Sequence, residues 1–277
     1  METLKFSLIM ATYGRSEEII AMLDTLIEQT YKNFELLIID QNDNDKVVKI
    51  YEQYKNKIDI KYFHNNIKGL SVNRNIGLSY ISGDIVAFPD DDCIYETDTL
   101  EKVSSFFSKN AEYSFYTCNT RDIDGKGSIL KSKSVDTDIS VFNFMSVGIS
   151  FTIFARVLAI KSFIFDKRLG LGTPFGSGEE SDLLLHLLKQ KSKGYYHANN
   201  YIYHPAKSET PDKAFLYGKG FGAVYKKAIT HYGFIVLLTI FFLRLLKGFI
   251  NIIIHKNRKI RFASFCGRLT GFFQYHS

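Results

Sequence analysis

Three consecutive carboxylates stand in Phe88-Pro-Asp-Asp-Asp-Cys93, directly after the apolar run Asp84-Ile-Val-Ala-Phe88. Like charges packed this closely repel one another, so an exposed acidic turn is one reading. The other is a divalent cation site, because hard carboxylate oxygens suit Mg2+ or Mn2+, which use one or two protein carboxylates together with substrate phosphates. Asp40 ends a second apolar run, Phe34-Glu-Leu-Leu-Ile-Ile39. Its acceptor oxygens would suit a ribose hydroxyl or the imino hydrogens of a base, and equally the cap of a following helix. Gly176-Ser-Gly-Glu-Glu-Ser-Asp182 opens a Leu-rich helical pattern. Its acids either complement the helix dipole or provide a general base at Glu180, with neighbouring Glu179 and Asp182 raising its pKa. His204, in Tyr203-His-Pro205, reads as a metal ligand or as a structural histidine among aromatics.

The elements that must position these residues alternate. Phe6–Ala11 reads as a buried strand, and Thr12–Ser16 as the turn at its carboxyl end. Ile19, Ile20, Leu23, Leu26 and Ile27 recur at helical spacing, with Glu17 and Glu18 in the first turn. A strand at 34–39, a helix at 45–54, a strand at 58–63, a helix at 70–80 and a strand at 84–88 follow. This alternation predicts an α/β fold with a mostly parallel sheet, whose carboxyl edge is where ligands bind. Helices are expected at 98–107 and 180–190 and a strand at 148–155. Arg121 to Ser128 reads as a turn-rich connection, continuing to Phe144 as a mobile or acceptor-facing loop. Gly14 stands alone after the first strand, with no Gly-x-Gly-x-x-Gly, which argues against a dinucleotide fold.

The chain has 277 residues and a formal charge of +6, but the charge is divided. Residues 213–277 carry eleven Lys or Arg and no Asp or Glu, whereas the first 212 carry 24 basic and 29 acidic residues. That split fits an acidic catalytic domain, 1–212, followed by a basic, apolar helical region, 213–277, and not a nucleic-acid-binding surface. Within the tail, Phe234–Leu243 and Phe249–Ile254 are apolar and Arg244 and Lys247 interrupt them. Two central cations make a lone transmembrane span costly, and an interfacial helix whose cations snorkel toward phosphates is expected, with a homodimer interface as the alternative. Tyr217-Gly-Lys-Gly-Phe-Gly222 reads as close helix packing or as a donor or acceptor contact. Cys93, Cys118 and Cys266 form no CxxC pair, so neither a disulfide framework nor a zinc site is expected, and the amino terminus shows no export pattern.

Taken in order, these stations resemble the family 2 glycosyltransferases of the GT-A fold, especially bacterial capsular and surface-polysaccharide enzymes. The resemblance runs through Ser7–Arg15, Leu37–Asn42, Gly69-Leu-Ser-Val-Asn-Arg-Asn-Ile-Gly77, the acidic turn at the DxD position, Phe165–Gly170 and Gly178–Asp182. It implies a nucleotide-sugar site of Thr12, Tyr13, Arg15, Asp40, Asn73, Arg74, Asp90 and Asp91, with Asp40 reading the base and Arg74 placing the diphosphate or holding the carboxylate loop. It implies Asp92 and His204 as ligands to Mn2+ or Mg2+. Glu180 stands where the family usually carries a catalytic Asp, with Glu179 and Asp182 as alternates. The implied reaction is inverting transfer from a nucleotide diphosphate sugar, a UDP-sugar by resemblance, to a saccharide acceptor on a polyprenyl lipid. The implied place is the cytoplasmic face of the bacterial membrane. A nucleotidyltransferase and a noncatalytic carbohydrate-binding protein are the alternatives.

Overall fold

The computed structural model describes residues 3–123, 134–206 and 208–276. Residues 124–133, which hold part of the expected turn-rich connection and loop, lie outside the described residues. The chain forms two compact units, one from 1–68, 72–164 and 190–206, the other from 69–71, 165–189 and 207–277.

Strands β1 (Phe6–Thr12), β2 (Phe34–Asp40), β3 (Ile60–His64) and β4 (Ile85–Ala87) alternate with helices α1 (Glu17–Ile27), α2 (Lys46–Tyr54) and α3 (Leu70–Leu78). They are followed by β5 (Ile94–Tyr95), α4 (Thr99–Lys109), β6 (Tyr113–Arg121), β7 (Thr137–Asp138), α5 (Phe144–Val147), β8 (Ile153–Arg156), α6 (Val157–Ile160), α7 (Glu179–Lys189) and β9 (Lys193–Tyr203). All the strands lie in the first unit and make one sheet in the order β3-β2-β1-β4-β8-β6-β9-β5, with β7 on β9. The pairs among β3, β2, β1 and β4 are parallel, as is β6 with β9, while β8 runs antiparallel between β4 and β6. This is the α/β architecture with a mostly parallel sheet that the alternation implied.

The core explains the alternation. On α1, Ile19, Met22, Leu23 and Leu26 are fully buried at helical spacing and join Leu8, Met10, Leu36 and Ile38 in one cluster. Ile20, which the periodicity placed with them, falls off that stripe and is exposed. The expected strand at 148–155 starts late. Ile149 N–H donates to the Thr152 hydroxyl at 3.3 Å and that hydroxyl donates back to the Ile149 carbonyl at 2.9 Å, closing a short 3-10 turn before the ladder resumes at Ile153. At the amino-terminal end of the sheet, fully buried Glu35 accepts from Ser7 Oγ (2.6 Å), Lys61 Nζ (2.6 Å) and Ser82 N (2.6 Å).

The second unit carries α7 and three long helices, α8 (Pro211–Thr230), α9 (Val236–Ile254) and α10 (Arg258–Gln274). Thr210 caps α8 by accepting from Lys213 N at 3.3 Å, with Pro211 in the first turn. Helices α8 and α10 touch backbone to backbone. A Cβ on Gly222 would stand 2.0 Å from the Arg268 carbonyl oxygen, and one on Gly271 would stand 1.9 Å from that of Lys219. The glycine-rich segment Tyr217–Gly222 is therefore close packing, since Gly218 and Gly222 meet α10 and Gly220 meets Ser177. On α9, Leu237, Phe241 and Leu245 face inward, and the Phe241 ring stacks on Phe272 at 4.4 Å. Its other side presents Phe242, Leu246, Phe249, Ile250 and Ile253 to solvent. Among the described residues, α9 alone is long and apolar enough to cross a membrane.

Candidate active site

The parallel register puts Thr12 beside Asp40 and Asp40 beside His64, so the carboxyl ends of β1, β2 and β3 form one edge. Strand β4 delivers the acidic turn to the same sheet, and the end of β9 delivers His204.

At the acidic turn the three carboxylates divide. Asp91 is buried and accepts from the Thr12 hydroxyl at 2.7 Å and from Arg15 NH1 at 2.8 Å. Burial pushes its pKa up to about 6 against the pull of Arg15 and Thr12. Arg15 also pairs with Asp92. Asp90 and Asp92 instead face His204, whose Nε2 lies 3.6 Å from Asp90 Oδ2 and 3.0 Å from Asp92 Oδ1. One ligand atom from each of Asp90, Asp92 and His204 lies within 4.8 Å of the others, a grouping able to hold a metal ion.

This set passes a chemical test for Mn2+ or Mg2+. It offers two hard oxygens and one imidazole nitrogen. His204 Nδ1 lies 2.8 Å from the Pro205 carbonyl, a contact that requires the proton on Nδ1 and leaves Nε2 as the lone pair facing the carboxylates. The ring is held flat on Phe151, at 4.8 Å between centroids and 9° between planes. Burial pulls the imidazole pKa down, but Asp90 and Asp92 overcome it and push it up to about 9, so a proton and a cation compete for Nε2.

Around this centre the remaining residues order the edge. Arg74 is almost fully buried, donates to Asp90 Oδ1 at 3.3 Å and lies over the Phe88 ring, so it holds the carboxylate loop. Asn73 accepts from Asn65 Nδ2 at 2.8 Å and donates to the Ile67 carbonyl at 3.0 Å, closing the loop before α3. Asp40 Oδ1 accepts from the backbone and side-chain nitrogens of Asn42 at 2.9 and 2.7 Å, and Oδ2 accepts from Tyr62 at 2.8 Å. Tyr13 is exposed, with Lys68 Nζ 4.4 Å over its ring. Phe151, Tyr62 and Lys68 escaped the sequence reading. No local pattern marks Phe151, Tyr62 or Lys68.

The second unit holds the acids at the start of α7. Asp182 is buried and accepts from Lys227 Nζ at 2.7 Å and from the Tyr232 hydroxyl at 2.8 Å. Lys227 also reaches Asp166 Oδ2 at 3.4 Å. Asp166 takes the Arg168 guanidinium as a fork, at 2.9 and 2.8 Å, and the Tyr275 hydroxyl at 2.7 Å. Burial pushes Asp166 up, but these donors hold it well below the usual carboxylate range. Glu179 is buried, with its carboxylate against Gly170. Glu180 is partly exposed and stands about 200° round the helix from Asp182, at 3.6 residues per turn. Pinning Asp182 to α8 therefore fixes the direction in which Glu180 leaves the helix.

Comparison with known proteins agrees with this geometry. An uncharacterized glycosyltransferase of Haemophilus influenzae is 29% identical over 70% of this chain and 65% of its own length. An uncharacterized glycosyltransferase of Rickettsia felis is 31% identical over 46% of this chain, which spans about a fifth of that protein (21%). Among solved structures, Staphylococcus aureus TarS residues 1–349 in complex with UDP-GlcNAc superposes with a TM-score of 0.66 at 19% identity, over 83% of this chain and 69% of that one. The mannosyltransferase PcManGT of Pyrobaculum calidifontis, in complex with GDP-Man and Mn2+, gives 0.70 at 12% identity over 99% and 89%. At these identities the structures speak for the fold. Residues 7–177 match the family described as Glycosyl transferase family 2, and the chain belongs to that family of glycosyltransferases.

Proposed function

We propose that the protein transfers a sugar from a nucleotide diphosphate sugar, a UDP-sugar, to a saccharide acceptor carried on a polyprenyl lipid during surface-polysaccharide synthesis, with inversion at the anomeric carbon. The observation that carries this reading is the convergence of Asp90, Asp92 and His204 at the edge of the nucleotide-type sheet. TarS, solved with UDP-GlcNAc, and PcManGT, solved with GDP-Man and Mn2+, support the donor class and the metal.

Asp92 and His204 would hold Mn2+ or Mg2+, with Asp90 beside them. When bound, the ion supplies neutralising charge for the departing nucleoside diphosphate. Arg74 holds Asp90, and Arg15 with Thr12 holds Asp91, which braces the loop that would carry the ion. Thr12, Tyr13, Asp40 and Asn73 form the nucleoside side, where Asp40 stiffens the β2 edge through Asn42 and Tyr62. Glu180 takes the proton from the acceptor hydroxyl as it attacks. Glu179 and Asp182 are the more enclosed acids of this turn, and Asp182 is committed to Lys227 and Tyr232. The proton acceptor is accordingly Glu180.

The outer face of α9 lies on the cytoplasmic surface of the bacterial membrane, within reach of a lipid-borne acceptor. An apolar stripe beside a tail with no acidic residue supports this over a homodimer contact. A panel of nucleotide sugars, each with Mn2+ or Mg2+ and lipid-linked acceptors, tests the reading by release of nucleoside diphosphate. Glu180→Gln should bind donor yet lose most transfer, and NMR of the product's anomeric centre reads the stereochemistry. Release of pyrophosphate from a nucleoside triphosphate, or undiminished transfer by Glu180→Gln, would reject it.

A further inference from the structure

Helix α9 carries Arg244 and α10 carries Arg268, and the two guanidiniums share one ring. Arg268 lies 4.5 Å over Phe221 and Arg244 lies 5.7 Å from the same centroid. Arg268 reaches across to α9, where its NH1 would stand 3.7 Å from a Cβ on Gly248, one turn beyond Arg244. Neither guanidinium has a hydrogen-bonding or ion-pair partner among the described residues, and Arg268 Nε is buried without an acceptor. Their own region supplies no carboxylate, since residues 213–277 contain no Asp or Glu. Burial, together with the positive charge of Arg244, lowers the pKa of Arg268.

Two adjacent guanidiniums with unused forks, set in an apolar helical layer, are electrostatically incomplete. A guanidinium presents paired N–H donors that match the oxygens of a phosphate, and a neighbouring aromatic ring holds its plane in place. We propose that Arg244 and Arg268 form a phosphate-binding site on the helical tail, filled by the phosphate of an anionic lipid. The choice of a lipid phosphate rests on the membrane placement proposed above. It also follows from position, since Arg244 sits on the same helix as the exposed Phe242, Leu246 and Phe249. Apolar side chains that enter the headgroup boundary would bring phosphates to the level of a cation on the same helix.

The test uses the full chain and co-sedimentation with vesicles of phosphatidylcholine alone or with 30% phosphatidylglycerol. Arg244→Gln with Arg268→Gln should weaken binding to the anionic vesicles by roughly tenfold or more. The charge-matched pair Lys256→Gln with Lys259→Gln, on the exposed basic stretch, removes the same diffuse attraction and should weaken binding by a clearly smaller factor than the arginine pair. Arg268→Lys, which keeps the charge and loses the fork, should fall between. Equal losses in the two pairs would overturn the site and leave only diffuse attraction. Failure of the unaltered protein to bind either vesicle would sink the membrane placement and the lipid source together. Isothermal titration with inorganic phosphate separates the sources: binding of the free anion that needs both arginines, without vesicle binding, would overturn the lipid assignment. If the double variant does not fold, Arg244→Gln alone decides by the same comparison. Arg268→Met should melt, without lipid, no lower than the parent, because it removes an uncompensated cation while filling the same space. A drop of several degrees would make Arg268 a structural cation and refute the proposal.

Discussion

Two glycine-to-alanine changes in the same helical tail should act in opposite directions. At Gly271 an added Cβ stands 1.9 Å from the Lys219 carbonyl oxygen and 2.7 Å from its carbonyl carbon, so it meets backbone that cannot rotate aside. Relief requires α8 and α10 to separate by more than an ångström, and forced overpacking of this kind costs about 3 kcal/mol. Alanine recovers about 1 kcal/mol of helix propensity, leaving a net loss of about 2 kcal/mol. At Gly248 the nearest atoms are side-chain atoms of Arg268 and Phe265 at 3.7 Å, an ordinary contact distance. There the propensity gain stands alone, and Gly248→Ala should stabilise by about 1 kcal/mol. For a chain of this size these values correspond to a melting temperature lower by about 6 °C for Gly271→Ala and higher by about 3 °C for Gly248→Ala. Thermal melts followed by far-ultraviolet circular dichroism give both numbers. A Gly271→Ala variant that melts with or above the parent would refute the backbone contact between α8 and α10.

Three further outcomes follow from the site and its surroundings. Asp92→Ala and His204→Ala should each abolish Mn2+ binding in calorimetric titration while leaving the melting temperature within a few degrees, and unchanged binding would remove the metal site. Burial raises the Glu35 pKa, but donors from Lys61, Ser7 and Ser82 outweigh it and hold it at about 2, below its ordinary 4.5. The stability it contributes is therefore complete above pH about 4.5 and fades as the pH falls through 2, by up to about 3 kcal/mol. Urea midpoints between pH 6 and pH 2 should show this fall, and Glu35→Gln should flatten it. Leu246→Glu with Phe249→Glu should release the protein from anionic vesicles, whereas a change in oligomeric mass without loss of vesicle binding would assign the α9 face to a second copy of the chain.

The amino-terminal half was legible because its information is local. Runs such as Phe34-Glu-Leu-Leu-Ile-Ile39 are buried on both sides of a parallel sheet, and the α1 stripe repeats at helical spacing. Strands β6 and β9 were missed for the opposite reason. Tyr113–Arg121 and Lys193–Tyr203 mix aromatic and polar residues without clear alternation, and they become strands by pairing with each other across about eighty residues. The acidic turn was visible as chemistry, but its division was not. Which of Asp90, Asp91 and Asp92 faces inward depends on Thr12 and Arg15, supplied by another strand end. His204 stands more than a hundred residues from Asp92, so only family resemblance joined them before the β9 register did. The clasp of Lys227 and Tyr275 on Asp182 and Asp166 left no local trace, since its partners come together from distant parts of the chain.

The glycine contact between α8 and α10 also has a mechanical meaning. Side-chain interfaces absorb small displacements by changing rotamer, whereas touching main chains have no such slack. Helices α8 and α10 must shift as a single stiff beam, with Lys227 and Tyr275 together at its carboxyl-terminal end, both on Asp166. A displacement of this beam therefore reaches the carboxylates of Asp166 and Asp182 through the side chains of Lys227 and Tyr275.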